Sequence, residues 1–180
     1  MDACCVLCKK ARKIEYPDNR GKGFAVKQGV LDARYDWICY YDADGATPIE
    51  MIERIISELD NYDLFISSRN MKESKIFISQ SIYRRVLGKI FAWLTKLFIG
   101  TKLTDLQNGF KVFNKETREI FRYQVEERFS FDIEFIMNAE RLKLRIKEFP
   151  INWSNDKRSK VKLIDIIEMG ISLWKIRKRL

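Results

Sequence analysis

The alternation of apolar and polar positions predicts an α/β fold in the first half of the chain. Residues 21–33 predict a helix entered through two glycines, and the apolar run 36–41 predicts a strand covered on both faces. A capping box at residues 47–50, with proline at the first helical position, predicts the next helix. A further strand is predicted at residues 64–67. This strand–helix–strand order is typical of a parallel sheet.

The second half of the chain continues the pattern. Residues 79–99 are apolar and basic and predict an amphipathic helix or helix pair. The remaining predicted elements are a strand over 109–113, a helix capped by Asn114 and ending near Tyr123, a helix from Ser130 to about Leu142, an alternating strand over 145–153, and a helical tail. The sequence contains no linker or repeat. We therefore expect one domain, 1–180, with a motif-bearing core over 19–160 and a C-terminal amphipathic basic helix over 161–180.

Two aspartates follow the first predicted strand directly. Asp42 and Asp44 lie where this strand ends, and in open α/β sheets ligands bind at the carboxyl ends of the strands. Two such carboxylates can hold Mg²⁺ or Mn²⁺, whose remaining positions are filled by diphosphate oxygens. The alternative is that both carboxylates solvate a turn and complement a helix N-terminus.

Composition narrows the classes of function. Lys and Arg number 34 against 25 Asp and Glu, and the net charge of +9 indicates an anionic partner: a phosphate-bearing ligand, an anionic membrane surface or nucleic acid. The chain has no histidine, which excludes imidazole bases and His-containing zinc sites. Its four cysteines do not form the framework of a secreted protein, and no apolar run approaches the ~18 residues of a membrane span. We expect a cytoplasmic protein that is soluble or lies on the cytosolic face of a membrane.

Short motifs accompany the aspartates in a fixed order along the chain. They are "NRGKGFAV" at 19–26, "SSRN" at 67–70, "SIYRR" at 81–85, "DLQNGFK" at 105–111, "FSFDIEF" at 129–135, and "PINW" with "RSK" within 150–160. This ordered set, with "DADGAT" at 42–47, closely resembles family-2 glycosyltransferases of the dolichyl-phosphate β-glucosyltransferase and dolichyl-phosphate mannose synthase type. The resemblance covers nearly everything from Asn19 to Leu180.

The resemblance implies a fold and a reaction. The expected fold is of the GT-A type, a Rossmann-like and mostly parallel sheet flanked by helices, N-terminally truncated and carrying amphipathic membrane-surface helices. The implied reaction transfers a hexose from a nucleotide sugar, UDP-glucose or GDP-mannose, to a polyprenyl phosphate with inversion, with a divalent metal at the DxD motif. The attacking phosphate oxygen is already anionic at neutral pH, so the absence of histidine fits this mechanism.

The resemblance also assigns roles to residues, each beside a structural alternative. Nucleotide-sugar binding falls to Lys22, Asp42 and Asp44, with the metal on Asp44 and Asp42. The residues with implied catalytic roles are Asp105, Gln107, Asp132 and Glu134. The acceptor phosphate falls to Arg69, Arg84, Arg158 and Lys160. The alternatives are turn formation for Asp105 and Gln107, dipole complementation for Asp132 or Glu134, a solvated face for any arginine, and a core position rather than sugar stacking for Trp153.

One departure from the family leaves the function open. Family members begin with a strand that ends in a Pro-x-x-Asn-Glu-like turn, and only eighteen residues precede Asn19 here. The sequence is then expected to be either a fragment of a longer enzyme or a shortened homologue. The alternative to an active glycosyltransferase is an inactive membrane-surface protein that binds phosphate lipids. Nucleic-acid binding is the weaker interpretation, because the basic residues alternate with apolar helix faces rather than with exposed aromatic residues.

Overall fold

The computed structural model describes residues 12–78 and 99–154, together with residues 88, 92, 93, 95, 96, 170, 172–176 and 178. Its strands, in chain order, are β1 (Trp37–Tyr41), β2 (Leu64–Ser68), β3 (Lys75–Ile78), β4 (Phe110–Asn114), β5 (Ile146–Pro150) and β6 (Asn152–Ser154). The α-helices whose bounds lie within the described residues are α1 (Lys22–Leu31), α2 (Lys115–Arg118), α3 (Ile120–Tyr123) and α4 (Phe131–Arg141). Most of these elements lie where the sequence predicts them.

The main sheet has four strands in the order β1-β4-β2-β5. Strand β4 pairs antiparallel with both β1 and β2, whereas β2 and β5 are parallel. The sheet is therefore mixed, and the expectation of a mostly parallel sheet is corrected on this point. Strand β4 lies between β1 and β2 and runs opposite to both, so two of the three ladders in this sheet are antiparallel.

Both faces of this sheet are covered, which explains its nearly continuous apolar strands. On one face, residues of α1, α3 and α4 pack against side chains such as Tyr40, Ile66 and Phe113. On the other face, Met51 and Ile55 pack against strand side chains such as Phe65, Phe110 and Phe149. All residues of β2 are buried.

Three elements differ from their predictions, and the first is the helix capped by Asn114, which is divided at Glu119 into α2 and α3. The segment after Pro48 forms two 3₁₀ helices, Ile49–Arg54 and Ile56–Asn61, rather than one α-helix, and no side chain caps it. The backbone instead closes i→i+3 turns, such as the hydrogen bond from the N–H of Ile55 to the carbonyl of Ile52 at 3.1 Å, and these turns still bury Ile55.

The predicted strand 145–153 is divided into β5 and β6, which belong to different sheets. At the junction the N–H of Ile151 donates to Ser74 Oγ, and its carbonyl accepts from the N–H of Lys75. The chain thus exchanges its pairing with β2 for pairing with β3.

Parts of the predicted amphipathic helices fall outside the described residues. Arg84, Arg158 and Lys160 are among the residues that the structure does not describe. Residues 172–176 are helical, and Leu173 and Ile176 pack against Ile133 and Met137 of α4. Within the described part of the chain, no helix has both the length and the apolar character required to cross a bilayer.

Candidate functional site

Some of the predicted site residues that the structure describes lie together at one edge of the main sheet, where strands β1, β2 and β5 have their carboxyl ends. Strands β1, β2 and β5 end at this edge, and β4 begins there because it runs the opposite way. The N–H of Asp42, just after β1, donates to the carbonyl of Gly109, just before β4, at 2.9 Å. Arg69 follows β2 at the same edge. The topology therefore brings together residues of the three motifs "DADGAT", "SSRN" and "DLQNGFK".

Asp42 is held from two sides. The ammonium group of Lys22, at the start of α1, lies 2.8 Å from Asp42 Oδ1 and 3.0 Å from Oδ2. Gly109 presses on the same carboxylate so closely that a Cβ at this position would lie 1.8 Å from Asp42 Oδ2. Only glycine can occupy position 109 without displacing Asp42.

The start of α1 owes its position to another glycine. A Cβ at Gly23 would lie 2.7 Å from the carbonyl oxygen of Glu126 and from Cβ of Phe131. The N–H of Phe24 donates to the carbonyl of Glu127 at 3.0 Å. Close packing of α1 against this loop places Lys22 beside Asp42.

Asp44 differs from Asp42 in being exposed. Its Oδ1 accepts a hydrogen bond from the N–H of Ala46 at 3.0 Å, which fixes the carboxylate in a turn. Among the residues that the structure describes, no three His, Cys, Asp or Glu side chains cluster as a metal site. The donor set still fits a hard cation whose other ligands come from a diphosphate, with Asp44 accessible and Asp42 engaged by Lys22.

Arg69 and Asp105 form a bidentate ion pair. Arg69 Nε donates to Asp105 Oδ2 at 2.7 Å and Nη2 donates to Oδ1 at 2.9 Å, while the backbone N–H of Arg69 also donates to Oδ2. Burial acts against ionisation of Asp105, but the charge and hydrogen bonds of Arg69 outweigh it and hold the pKa of Asp105 below its usual value. Asp105 is therefore a carboxylate at neutral pH and a poor proton acceptor.

The Arg69 guanidinium lies beside two further groups. It sits over the ring of Trp153, 5.4 Å from the centroid. Burial lowers the pKa of Arg69, but the carboxylates of Asp105 and, more weakly, Asp42 raise it to a net value above the usual one. Arg69 thus remains a cation within electrostatic reach of Asp42. Trp153 itself packs against the core cluster of Phe65 and Phe149, which supports its core interpretation.

A buried network lies beneath this edge. Lys111 on β4 donates to Asp132 Oδ1 at 2.6 Å and to the carbonyl of Asn108 at 2.7 Å, and its side chain is fully buried. The hydroxyl of Tyr40 donates to the same Asp132 carboxylate at 3.2 Å. Burial, followed by the charges of Asp132 and Asp42, raises the pKa of Tyr40 well above its usual value. Tyr40 therefore stays protonated and acts as a donor.

The other two predicted catalytic residues have different surroundings. Glu134 is buried and accepts hydrogen bonds from the N–H groups of Val125 and Glu126, so that it holds the loop before α4. It does not share a face with Asp132, as the helical spacing indicates. Gln107 is half-buried on the loop between Asp105 and Gly109.

A comparison with protein-family models matches residues 2–121 to "Glycosyl transferase family 2". The chain belongs to this family. The match starts at residue 2, so it also includes most of the eighteen residues before Asn19, which on the sequence alone resemble no complete unit of the family.

Curated relatives refine the family assignment. The chain is 33% identical over 177 residues to the dolichyl-phosphate β-glucosyltransferase of Drosophila melanogaster, covering 93% of this chain and 54% of the relative. It is 33% identical to that of Saccharomyces cerevisiae, covering 97% and 59%, and 32% identical to that of Homo sapiens, covering 94% and 55%. The chain spans little more than half the length of these relatives.

Solved structures of similar fold are glycosyltransferases of the GT-A type. Glucosyl-3-phosphoglycerate synthase from Mycobacterium tuberculosis, in complex with UDP, superimposes with a TM-score of 0.57 at 15% identity, covering 89% of this chain and 55% of that chain. A mycobacterial protein gives a TM-score of 0.59 at 18% identity, with coverages of 90% and 52%. These likenesses confirm a GT-A-like α/β fold, with a mixed sheet flanked by helices.

Sequence reasoning missed several residues that support the site. Lys111 could have been found, because a lysine in the middle of an apolar strand indicates a buried and paired charge. Tyr40 and Gly109 carried no comparable signal, since their roles depend on contacts with residues far along the chain. Glu148 accepts hydrogen bonds from the N–H groups of Thr104 and Asp105, but it falls in an alternating strand, where its polarity suggests only a solvent-facing side.

We expect replacement of Asp105 by asparagine to lower stability in a pH-dependent way. The variant should lose about 2 kcal/mol of unfolding free energy at neutral pH because the charged hydrogen bonds to Arg69 are weakened. A carboxyl whose pKa is lowered on folding contributes fully above its unfolded value of about 3.9 and loses that contribution as the pH falls through the folded value. The difference between the two proteins should therefore shrink below about pH 4. Urea unfolding from pH 7 to pH 3 measures it, with Asp36→Asn at an exposed ion pair as control. A difference that does not change with pH would contradict the assignment.

We expect Lys111→Met to destabilise the protein strongly. The substitution leaves the Asp132 carboxylate buried without its cation, which costs about 3–5 kcal/mol. The double variant Lys111→Met/Asp132→Leu should recover part of this loss because no charge remains buried. Urea unfolding of both variants measures the effect, and Lys115→Met, at an exposed ion pair, should change little. A double variant less stable than Lys111→Met would show that the ion pair is not the main constraint at this position.

Proposed function

We propose that the chain forms the core of an enzyme that transfers a hexose, most readily glucose from UDP-glucose, to a polyprenyl phosphate such as dolichyl phosphate. The proposal is supported by the curated relatives, which are named dolichyl-phosphate β-glucosyltransferases. The single observation that carries it is the arrangement of charges at the sheet edge. Asp42, followed by the exposed Asp44, is paired with Lys22 and lies within electrostatic reach of Arg69, and this pattern suits two phosphate-bearing ligands bound side by side.

In this proposal the donor occupies the side of the site formed by β1 and α1. Lys22 and Asp42 contact the nucleotide sugar, and Gln107 hydrogen-bonds the sugar from the loop before β4. Lys22 can shift from Asp42 toward a phosphate because its side chain is 29% exposed. GDP-mannose is the alternative donor, and the residues described here do not distinguish the bases.

Asp44 is the proposed ligand of a divalent metal, with Asp42 beside it. Such an ion would neutralise charge on the departing diphosphate. Glucosyl-3-phosphoglycerate synthase of similar fold has been crystallised with Mn²⁺ and UDP-glucose, which supports a Mn²⁺ or Mg²⁺ site in this fold. The exposure of Asp44 and its fixed turn suit this role.

Arg69 is the proposed anchor of the acceptor phosphate. A phosphate oxygen attacks the anomeric carbon, the new C–O bond forms on one face, and the bond to the diphosphate breaks on the opposite face, so that configuration inverts. The electron pair leaves with the diphosphate. The nucleophile is already anionic, so the reaction needs positioning by Arg69 more than a general base. The ionised, arginine-bound Asp105 therefore acts here by holding Arg69 rather than by accepting a proton.

A second candidate function is binding of phosphate lipids at a membrane surface without catalysis. Trp93 and Trp174 are 62% and 59% exposed, and Lys178 lies 4.8 Å from the ring of Trp174. Exposed tryptophan beside lysine is typical of an interfacial membrane contact. This observation is compatible with both candidates, and only the transfer assay separates them.

We expect the protein to form a glucosyl-phosphate lipid when supplied with UDP-glucose, Mn²⁺ and polyprenyl phosphate in detergent. Asp44→Asn should lower the rate by about tenfold or more because it removes an anionic metal ligand. Asp60→Asn is the matched control, since Asp60 is an exposed aspartate on the second 3₁₀ helix. Binding of polyprenyl phosphate with no transfer from either UDP-glucose or GDP-mannose would favour the second candidate. Equal rates for the Asp44→Asn variant and the native protein would remove Asp44 from the metal site.

We also expect peripheral binding to anionic membranes, on the cytosolic face in a cell. Each lysine or arginine near the surface contributes about 1 kcal/mol with anionic lipid, and high salt screens this attraction. Cosedimentation with phosphatidylserine vesicles should therefore be strong at low salt and weak at high salt. Trp174→Ser should reduce binding, whereas Tyr35→Ser, which removes an exposed aromatic residue before β1, should not. No cosedimentation at low salt would show that the exposed tryptophans do not serve a membrane contact.

A further inference from the structure

We propose that Glu148 is a positioning residue that sets the orientation of Arg69 through the loop that carries Asp105. The inference rests on the proposed function, in which Arg69 binds the acceptor phosphate. Glu148 lies on β5 and is half-buried, next to Ile66 of β2 in the parallel register. A strand held within the main sheet is a rigid base from which to fix a loop.

One oxygen of Glu148 organises the start of this loop. Glu148 Oε1 accepts hydrogen bonds from the N–H of Thr104 at 2.7 Å, from Thr104 Oγ1 at 2.8 Å and from the N–H of Asp105 at 3.1 Å. Two consecutive backbone donors and one hydroxyl thus converge on a single acceptor. Hydrogen bonds to an ionised acceptor are stronger than neutral ones, so the carboxylate holds the backbone of both residues.

The loop in turn is tied to the end of β2. Thr104 Oγ1 lies 2.6 Å from Ser68 Oγ, and Asn70 Nδ2 donates to the carbonyl of Thr104 at 2.7 Å. These contacts flank Arg69 on both sides in the sequence. By holding Thr104 and Asp105, Glu148 therefore fixes the loop that contacts Arg69 and both of its neighbours in the sequence.

Asp105 transmits this position to the guanidinium. Its two oxygens accept from Nε and Nη2 of Arg69, and the ring of Trp153 covers one face of the group. A guanidinium has five N–H donors, so two are engaged by Asp105 and the Nη1 edge is directed elsewhere. The remaining N–H donors on the Nη1 side of the guanidinium are suited to a phosphate. The direction in which they point depends on the position of the Asp105 carboxylate. Release of the loop by loss of Glu148 would let the pair rotate without breaking it.

The test is binding of geranyl phosphate, a short isoprenyl monophosphate, to the full chain by calorimetry. Glu148→Ala should weaken binding by about tenfold, because the loop loses the oxygen that accepts its three hydrogen bonds. Glu148→Gln keeps an acceptor oxygen at the same position and should restore binding to within about threefold of the native protein. A direct electrostatic effect of Glu148 on the phosphate would instead make both neutral variants bind more tightly, and that result would overturn the proposal.

A double-variant cycle separates positioning from general loss of structure. In an Arg69→Ala background, Glu148→Ala should have no further effect on geranyl phosphate binding, because its influence passes through Arg69. Additive losses would overturn the proposal. Thr104→Val, which removes one donor to Glu148, is the second variant if Glu148→Ala does not fold, and its smaller loss should also vanish in the Arg69→Ala background.

The outcomes also distinguish this inference from the proposed function. If Arg69→Ala binds geranyl phosphate as well as the native protein does, Arg69 is not the acceptor anchor, and both proposals fail. If Arg69→Ala weakens binding but Glu148→Ala does not, the proposed role of Arg69 stands and only the inference about Glu148 fails. In the transfer assay, Glu148→Ala should raise KM for the acceptor lipid more than it lowers kcat, a split that a merely destabilised protein would not show.

Discussion

The buried ion pair between Lys111 and Asp132 is the constraint on which the rest of the site depends. It joins the central antiparallel strand β4 to the first turn of α4, and neither side chain is more than 3% exposed. A charge removed from water must be paired, since an unpaired one would cost several kcal/mol. The hydroxyl of Tyr40 and the carbonyl of Asn108 complete the pair and fix β1 and the loop before β4 relative to each other. The spacing between Asp42 and Gly109 follows from this arrangement.

The antiparallel course of β4 has a second consequence. It places the loop formed by residues 105–109 at the edge where β1 and β2 end. Carboxylates and cations from distant parts of the chain therefore lie close together there. Lys22 and Arg69 are each paired with a carboxylate, which keeps them oriented while leaving hydrogen-bond donors for phosphate groups.

Burial separates two groups among the predicted site residues that the structure describes. Asp44 is accessible, and Lys22 and Arg69 are partly so, which suits contact with ligands. Asp105, Asp132 and Glu134 are buried and hold other residues in place. In the proposed reaction an anionic phosphate is the nucleophile and needs little help from a free base, which agrees with the engagement of the buried carboxylates in hydrogen bonds. What the structure shows of these carboxylates is that they hold other groups in a fixed geometry.

The sequence by itself determined the fold class, most element positions, the strand-end aspartates and the family, because these depend on local periodicity and on motif order along the chain. It also predicted the helix cap at Asn114, whose side chain accepts from the N–H of Thr117 as a local rule requires. Only the tertiary structure decided that β4 is antiparallel to its neighbours, that Arg69 is bound by Asp105, and that Glu148 supports this pair. These contacts join residues 36 to 44 positions apart. They are set by which strands lie side by side in the sheet, and the local pattern of a single sequence carries no record of that adjacency.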